Sequence, residues 1–227
     1  MVRRHLTDHY PELEDRVRVV YNGVDCEHFS PRLGEKWRDD VREELDIPED
    51  ALVAVFVSFD WRRKGLPTLI RALGAANLGE PRRPIYGLVV GKGDRFFTRM
   101  LARWNEAEEY LRFVGPADPG RYYGAADVLV LPTYHDPCAN VTLEGLACGL
   151  PAITTTRNGA HELLTHGEDG YVMDDASDAQ QLADYLAECA DRTDLDEASA
   201  AARELALDHT VGRMYGELEN VVLEAAD

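Results

Sequence analysis

Three short stretches hold residues able to grip a phosphate-bearing ligand. The first is Phe59-Asp60-Trp61-Arg62-Arg63-Lys64-Gly65, which sets three cations in a turn. The second is Gly91-Lys92-Gly93-Asp94, where two glycines allow close backbone approach around a lysine. The third runs from Pro132 through Tyr134, His135, Asp136, Pro137, Cys138 and Ala139 to Asn140, with Glu144 one turn further on. Each has a plain alternative. A charge run is commonly a solvated turn, and the 91–94 stretch matches neither the Walker loop nor a G-x-G-x-x-G fingerprint. Asp136 and Glu144 prove nothing by spacing in a chain this rich in acids. Their joint occurrence just after successive apolar runs is what chance explains poorly.

Those runs are the elements that must position them. Candidate strands lie at 17–21, 52–58, 85–90, 111–114, 128–131, 152–154 and 170–173. Most are continuous rather than alternating apolar runs, the pattern of strands covered on both faces of a parallel sheet. Helical periodicity falls near 38–46, 66–78, 96–109, 119–125, 140–148 and 159–165, and helices dominate after residue 178. Strand alternating with helix predicts an α/β fold with a doubly wound, mostly parallel, Rossmann-like sheet. In such a sheet ligands bind beyond the carboxyl ends of the strands, where helix N-termini offer unpaired N–H groups. All three stretches fall there. The segment 17–21 stands apart from the alternation and reads as a strand of a different sheet.

The 227 residues carry 24 Lys and Arg against 42 Asp and Glu, a formal net charge of −18, which disfavours nucleic acid or an anionic membrane as a general partner. Lys36, Lys64 and Lys92 are the only lysines. The four cysteines, Cys26, Cys138, Cys148 and Cys189, form no C-x-x-C pair and no zinc-type spacing with histidine, and a reduced, cytoplasmic setting is expected. No apolar run reaches spanning length, and the first 20 residues lack a signal-like core.

Taken in order, the motifs resemble those of the retaining glycosyltransferases of family 4, within the glycosyl transferases group 1. The stretch from Asp136 through Glu144, Gly149 and Pro151 to Thr154 is similar to that family's E-x7-E signature and the segment after it. Asn22-Gly23-Val24-Asp25 with Phe29-Ser30-Pro31 resembles its N-G-V-D bridge, Arg63-Lys64-Gly65 its R-K-G, and Val89-Val90-Gly91-Lys92-Gly93 its V-G-x-G. Phe113-Val114-Gly115, Ala126-Asp127-Val128, 159–162 and 167–170 agree as well. The resemblance covers roughly 1–215 and is nearest to enzymes of the lipopolysaccharide-core or capsule type.

The resemblance implies the C-terminal, donor-binding half of a GT-B fold. Residues 1–30 would be a remnant of or bridge to an absent N-terminal domain, 31–208 the nucleotide-sugar-binding domain, and 209–227 a C-terminal helix. It implies a metal-independent reaction with no cofactor, a nucleotide-diphosphate sugar (UDP-sugar first) as substrate, and a glycan or lipid-linked acceptor. Arg63 and Lys64 would meet the pyrophosphate and Asp136 the transferred sugar, with Asp standing one methylene short of the family's Glu. Glu144 would take the ribose hydroxyls. Gly91, Gly93, Val114, Cys138, Ala139, Asn140 and Val141 would bind the donor. Because Pro137 has no N–H, the amides of Cys138, Ala139 and Asn140 are the expected donors there. Arg112 would stack on the base, Tyr134 and His135 would line the cleft, and Asn158, where the family has Gly-Gly, would restrict the backbone. Glu162 would brace its loop. The chain alone is expected to transfer little or no sugar, and any peripheral membrane contact would come from the absent half. A non-catalytic nucleotide-sugar module, or a partner subunit, is the alternative; an epimerase on the same fold fits the motifs less well.

Overall fold

A computed structural model of the chain describes residues 1–192 and 195–226. In chain order it contains α1 (Val2–His9), α2 (Arg32–Glu44), β1 (Leu52–Ser58), α3 (Leu66–Leu78), β2 (Ile85–Gly91), α4 (Arg95–Trp104), β3 (Leu111–Gly115), α5 (Pro119–Ala125), β4 (Val128–Leu131), α6 (Asn140–Ala147), β5 (Ala152–Thr155), β6 (Gly170–Met173), α7 (Ala179–Asp191), α8 (Leu195–Asp208) and α9 (Val211–Ala226). The six strands form one parallel sheet in the order β3-β2-β1-β4-β5-β6. This is the expected doubly wound α/β architecture. Winding reverses between β1 and β4, so the turn after β1 and the loop after β4 face each other across the crevice where such sheets hold ligands.

Both faces of the sheet are covered, which is why its central strands read as unbroken apolar runs. Every residue of β1 is buried. On one face Leu69, Leu73 and Leu101, from α3 and α4, pack with Leu182 and Leu186 of α7. On the other, Val41 of α2, Tyr123 of α5, Leu143 and Leu146 of α6 and Ala202 of α8 form a second core. Ala-rich α8 comes close to α6 because small side chains let helix backbones approach.

The lower end of the sheet is fastened by a buried ionic cluster. Asp127, just ahead of β4, accepts from Arg42 Nη2 at 2.8 Å, Arg38 Nη2 at 2.6 Å and the backbone N–H of Val53 at 2.7 Å. Arg42 also donates to the carbonyls of Ala125, Glu49 and Ala51. The guanidinium is thus fully partnered inside the protein, although burial pulls its pKa down.

Some expectations fail. Residues 17–21 form no strand: Val19 is exposed, and the segment runs past the sheet without a ladder partner among the described residues. Pairing in this region falls instead on Val24, bridged to Thr210. α2 starts at Arg32 rather than 38, because Pro31 already holds helical angles (φ −56°). α4 stops at Trp104, before Glu106 turns left-handed at φ 55°. The expected helix at 159–165 is a 3-10 turn, Gly159–Leu163.

Replacing Asp127 with Ala leaves a buried, unpaired guanidinium, and should cost about 3–5 kcal/mol of stability. Urea unfolding followed by circular dichroism measures it; a midpoint unchanged from wild type would contradict the role assigned to the cluster.

Candidate functional site

The β1–α3 turn and the β4–α6 loop meet backbone to backbone. Gly65 sits at φ +86°, and a Cβ there would be driven into the carbonyl of Pro132. Around this contact, Tyr134 N donates to Arg63 O at 2.9 Å and Arg63 Nη1 to His135 O at 2.8 Å. The approach brings Lys64 into a direct ion pair with Asp136. Arg63 is braced by Asp60 (Nε to Oδ2 2.9 Å) and lies 3.7 Å from Asp136. Burial pushes the Lys64 ammonium down to about 8; the charge of Arg63 adds to this and Asp60 opposes it. The contact with Asp136 also favours the charged lysine.

The other wall is the first turn of α6, and Asn158 fixes it. The Asn158 side chain is fully buried. Its Oδ1 accepts from the amides of Ala139 (3.1 Å) and Ala160 (3.2 Å), and its Nδ2 donates to Thr142 and Thr154 hydroxyls, both at 3.0 Å. Ala139, at the N-cap of α6, has no capping side chain of its own. Asn158 supplies that function from the β5 side. The departure from Gly-Gly is therefore a tether between β5 and the loop that carries Asp136.

This changes which amides face the cleft. Cys138 N already donates to Asp136 Oδ1 at 3.1 Å, and Ala139 N to Asn158. The N–H groups of Asn140 and Val141, which open α6, have no intrahelical acceptor. Burial pushes the Cys138 thiol up, away from thiolate. Asn22 reaches across from the N-terminal segment, its Nδ2 donating to Asn140 Oδ1 at 2.7 Å and Cys138 O at 3.2 Å.

The outcome is a cleft of about 490 Å³ lined by Arg63, Lys64, Asp136, Asn22 and residues 138–141. Glu144 does not line it. It lies one turn along α6, toward α5, where Tyr123 Oη donates to its Oε2 at 2.8 Å. Burial raises the Glu144 carboxyl, while the Tyr123 hydrogen bond and nearby His28 oppose the shift. Val114 is half-buried at the end of β3 in the same core as Tyr123. Gly91, at φ +121°, closes against Ser58, and Gly93 lies on the Trp61 ring in a neighbouring pocket.

Several expected side chains point elsewhere. Arg112 donates to the carbonyls of Leu45, Asp46 and Glu109 and lies 4.9 Å over the Tyr86 ring, so it is committed to packing rather than to a base. Tyr134 opens into the pocket of Gly93 rather than the cleft, and His135 contributes a carbonyl. Glu162 accepts from Tyr21 Oη at 2.8 Å and pairs with the Met1 amine, tying the N-terminal segment to its loop. Asn22 and Asn158 stand in motifs that mark them, but the partners they tether, and the contact of Tyr123 with Glu144, are given by no local pattern. Among the described residues no cluster of His, Cys, Asp and Glu is assembled for a metal, and no helix is long and apolar enough to cross a membrane.

Comparison with known proteins bears on the family and the fold. The chain is 31% identical over 229 residues to D-inositol 3-phosphate glycosyltransferase of Thermomonospora curvata, covering 93% of this chain and 53% of that protein. It is 28% identical over 195 residues to spore coat protein SA of Bacillus subtilis, covering 80% and 51%. The chain thus spans about half the length of the curated relatives it matches. A glycosyltransferase of Rickettsia africae has the same fold, with a TM-score of 0.80 at 23% identity over 97% of this chain and 60% of that one. So does Anabaena HepE, crystallised with UDP, with a TM-score of 0.80 at 22% identity over 93% and 58%. The family model described as glycosyl transferases group 1 matches residues 51–192, more than half of the chain, and the chain belongs to that family.

Proposed function

We propose that this chain is the donor-binding half of a cytoplasmic, metal-independent glycosyltransferase of family 4 with the GT-B fold. It takes a nucleotide-diphosphate sugar, UDP-sugar first, and passes a hexose with retention to a glycan or lipid-linked acceptor in polysaccharide or lipopolysaccharide synthesis. The observation that carries this reading is the cleft in which Lys64, Arg63 and the open first turn of α6 converge. Its acceptor contacts, and any membrane contact, would come from an N-terminal domain joined through residues 1–30.

The chemistry follows from charge. When the bond from the anomeric carbon to the diphosphate breaks, negative charge grows on the leaving oxygens. A single pair of unit charges at about 4 Å is worth about 4 kcal/mol at an effective dielectric of 20. Arg63 and Lys64 stabilise the departing diphosphate more than the bound donor, so part of this lowers the barrier. Asn140 and Val141 amides add the positive end of α6. Asp136, held by Lys64 and by Cys138 N, presents its carboxylate toward the sugar. Glu144 suits the ribose diol because Tyr123 occupies Oε2 and leaves Oε1 as acceptor. The base is read beyond it, near Val114.

Calorimetric titration of the 227-residue chain with UDP should give saturable binding, and Lys64→Ala should weaken it by about 2 kcal/mol, the worth of a charge-assisted hydrogen bond. No binding by wild type at millimolar UDP would overturn the reading. Turnover of a UDP-sugar by the chain alone at the rate of a complete enzyme would overturn the assignment as a half. Binding without transfer, even with the rest of the protein restored, would favour the non-catalytic module.

The lysine also sets a pH dependence. Only charged Lys64 favours the diphosphate, and its value near 8 means that affinity is full below that pH and falls as pH rises through it. Between pH 7 and 9 the UDP dissociation constant should rise about tenfold. Lys64→Arg should flatten this slope, and a wild-type affinity constant over the window would contradict the titration.

A further inference from the structure

Asn22 belongs to no helix or strand, yet its position is fixed from both sides. Ahead of it, Tyr21 Oη donates to Glu162 Oε2 at 2.8 Å. Behind it, Gly23 N donates to Met214 Sδ at 3.2 Å, and Val24 N to His209 O at 2.9 Å. A Cβ on Gly23 would lie 2.6 Å from Val211 Cα, so the chain passes the junction of α8 and α9 with no slack. The side chain held between these anchors reaches the donor cleft, where its Nδ2 donates to Cys138 O and Asn140 Oδ1.

Those two acceptors settle the polarity of a pair of carboxamides. A carboxamide carries an NH2 donor on one edge and an oxygen on the other, and turning it over leaves its shape unchanged. Cys138 O is a main-chain carbonyl and only accepts, so the edge of Asn22 that faces it must be the NH2. The same NH2 meets Asn140, which must therefore offer its oxygen. The opposite edge of the Asn140 carboxamide is then a donor, and among the described residues that Nδ2 has no acceptor. It shares the cleft with the open amides of Asn140 and Val141 and with the cations of Arg63 and Lys64. Asp136, the acid there, is engaged by Lys64 and by Cys138 N. A set of donors around one cleft suits a ligand whose oxygens only accept, as those of a diphosphate do.

We infer that Asn22 is a positioning residue for donor binding: by fixing the Asn140 carboxamide it turns Asn140 Nδ2 toward the diphosphate, as a side-chain donor beside the amides of α6. The inference rests on the donor reading above and deepens it. Without Asn22, the Asn140 carboxamide is free to turn over and set its oxygen against the phosphate oxygens. Only the fold brings the two residues together, since they lie 118 positions apart in the chain.

The test uses the 227-residue chain with UDP as the probe, followed by proton–nitrogen NMR spectra and calorimetry. The Asn140 side-chain NH2 signals, identified by their absence from the spectrum of Asn140→Ala, should shift as UDP saturates wild type. Asn140→Ala should weaken UDP about tenfold, and Asn22→Ala by about as much. In the Asn140→Ala background, Asn22→Ala should change the affinity by less than about twofold, because its effect runs through the carboxamide already removed. A residue that only braces the loop through Cys138 O gives losses that add, and that result overturns the inference. So do Asn140 NH2 signals that ignore UDP, or single variants that bind UDP as tightly as wild type; in each of these cases the donor reading stands. A wild-type chain that fails to bind UDP overturns the donor reading itself, and this inference with it.

Discussion

The ion pair between Lys64 and Asp136 is the contact on which the site depends, because it joins the two strand ends that the topology leaves facing an open crevice. Parallel neighbours whose helices depart to opposite faces diverge at their carboxyl ends, and something must hold the gap at a fixed width. Here backbone contact at Gly65 and Pro132 sets the distance, and the charges fill it. Removing an ammonium from water costs several kcal/mol unless it is paired, so Lys64 is tolerable where it lies because Asp136 is there. The cost is left partly unmatched, as the lowered pKa of the lysine records. An incoming diphosphate supplies the missing negative charge and finds its cations already oriented, so little reorganisation accompanies binding.

A second constraint keeps Asp136 on its side of the gap. The loop from Pro132 to Asn140 has little regular structure, and its amides would otherwise turn freely. Asn158 prevents this with hydrogen bonds that reach α6, β5 and its own turn. Asp136 and Asn158 also form a backbone bridge, with Gly159 N donating to Asp136 O at 2.9 Å. Since the Asn158 side chain is buried and every partner is polar, loss of one bond strands another group without water. The loop is therefore fastened to β5.

Much of the fold was legible because burial on both faces leaves a signature that survives without tertiary knowledge. Strands such as β1 and β4 are unbroken apolar runs, and their bounds in the structure differ from the sequence reading by a residue at most. The segment 17–21 carries the same β-branched signal and forms no strand, since propensity requires a neighbouring ladder and none is at hand. Arg63, Lys64 and Asp136 were legible through the order of their motifs. The engagement of the Cys138 and Ala139 amides was not, because their acceptors are decided by the folded loop and, for Ala139, lie nineteen residues away. Arg112 misled for a related reason: a guanidinium beside a strand end looks available until the carbonyls of Leu45 and Asp46 fold against it.

The acidity of the chain is compatible with binding anions because its charge is not evenly spread. Screening confines exposed charges to about 8 Å at physiological ionic strength, so distant carboxylates contribute little within the crevice. What acts there is the local set: Arg63 and Lys64 on one side of the 59–65 turn, Arg62 and Arg71 on the other. One turn therefore has two differently built faces. Toward α6 its cations are tightly paired and partly buried, suited to a charge that grows during reaction. Toward α3 and α4 they are exposed beside aromatic rings and, among the described residues, their side chains have no acid partner. The same backbone, pinned at Gly65, keeps the two in register.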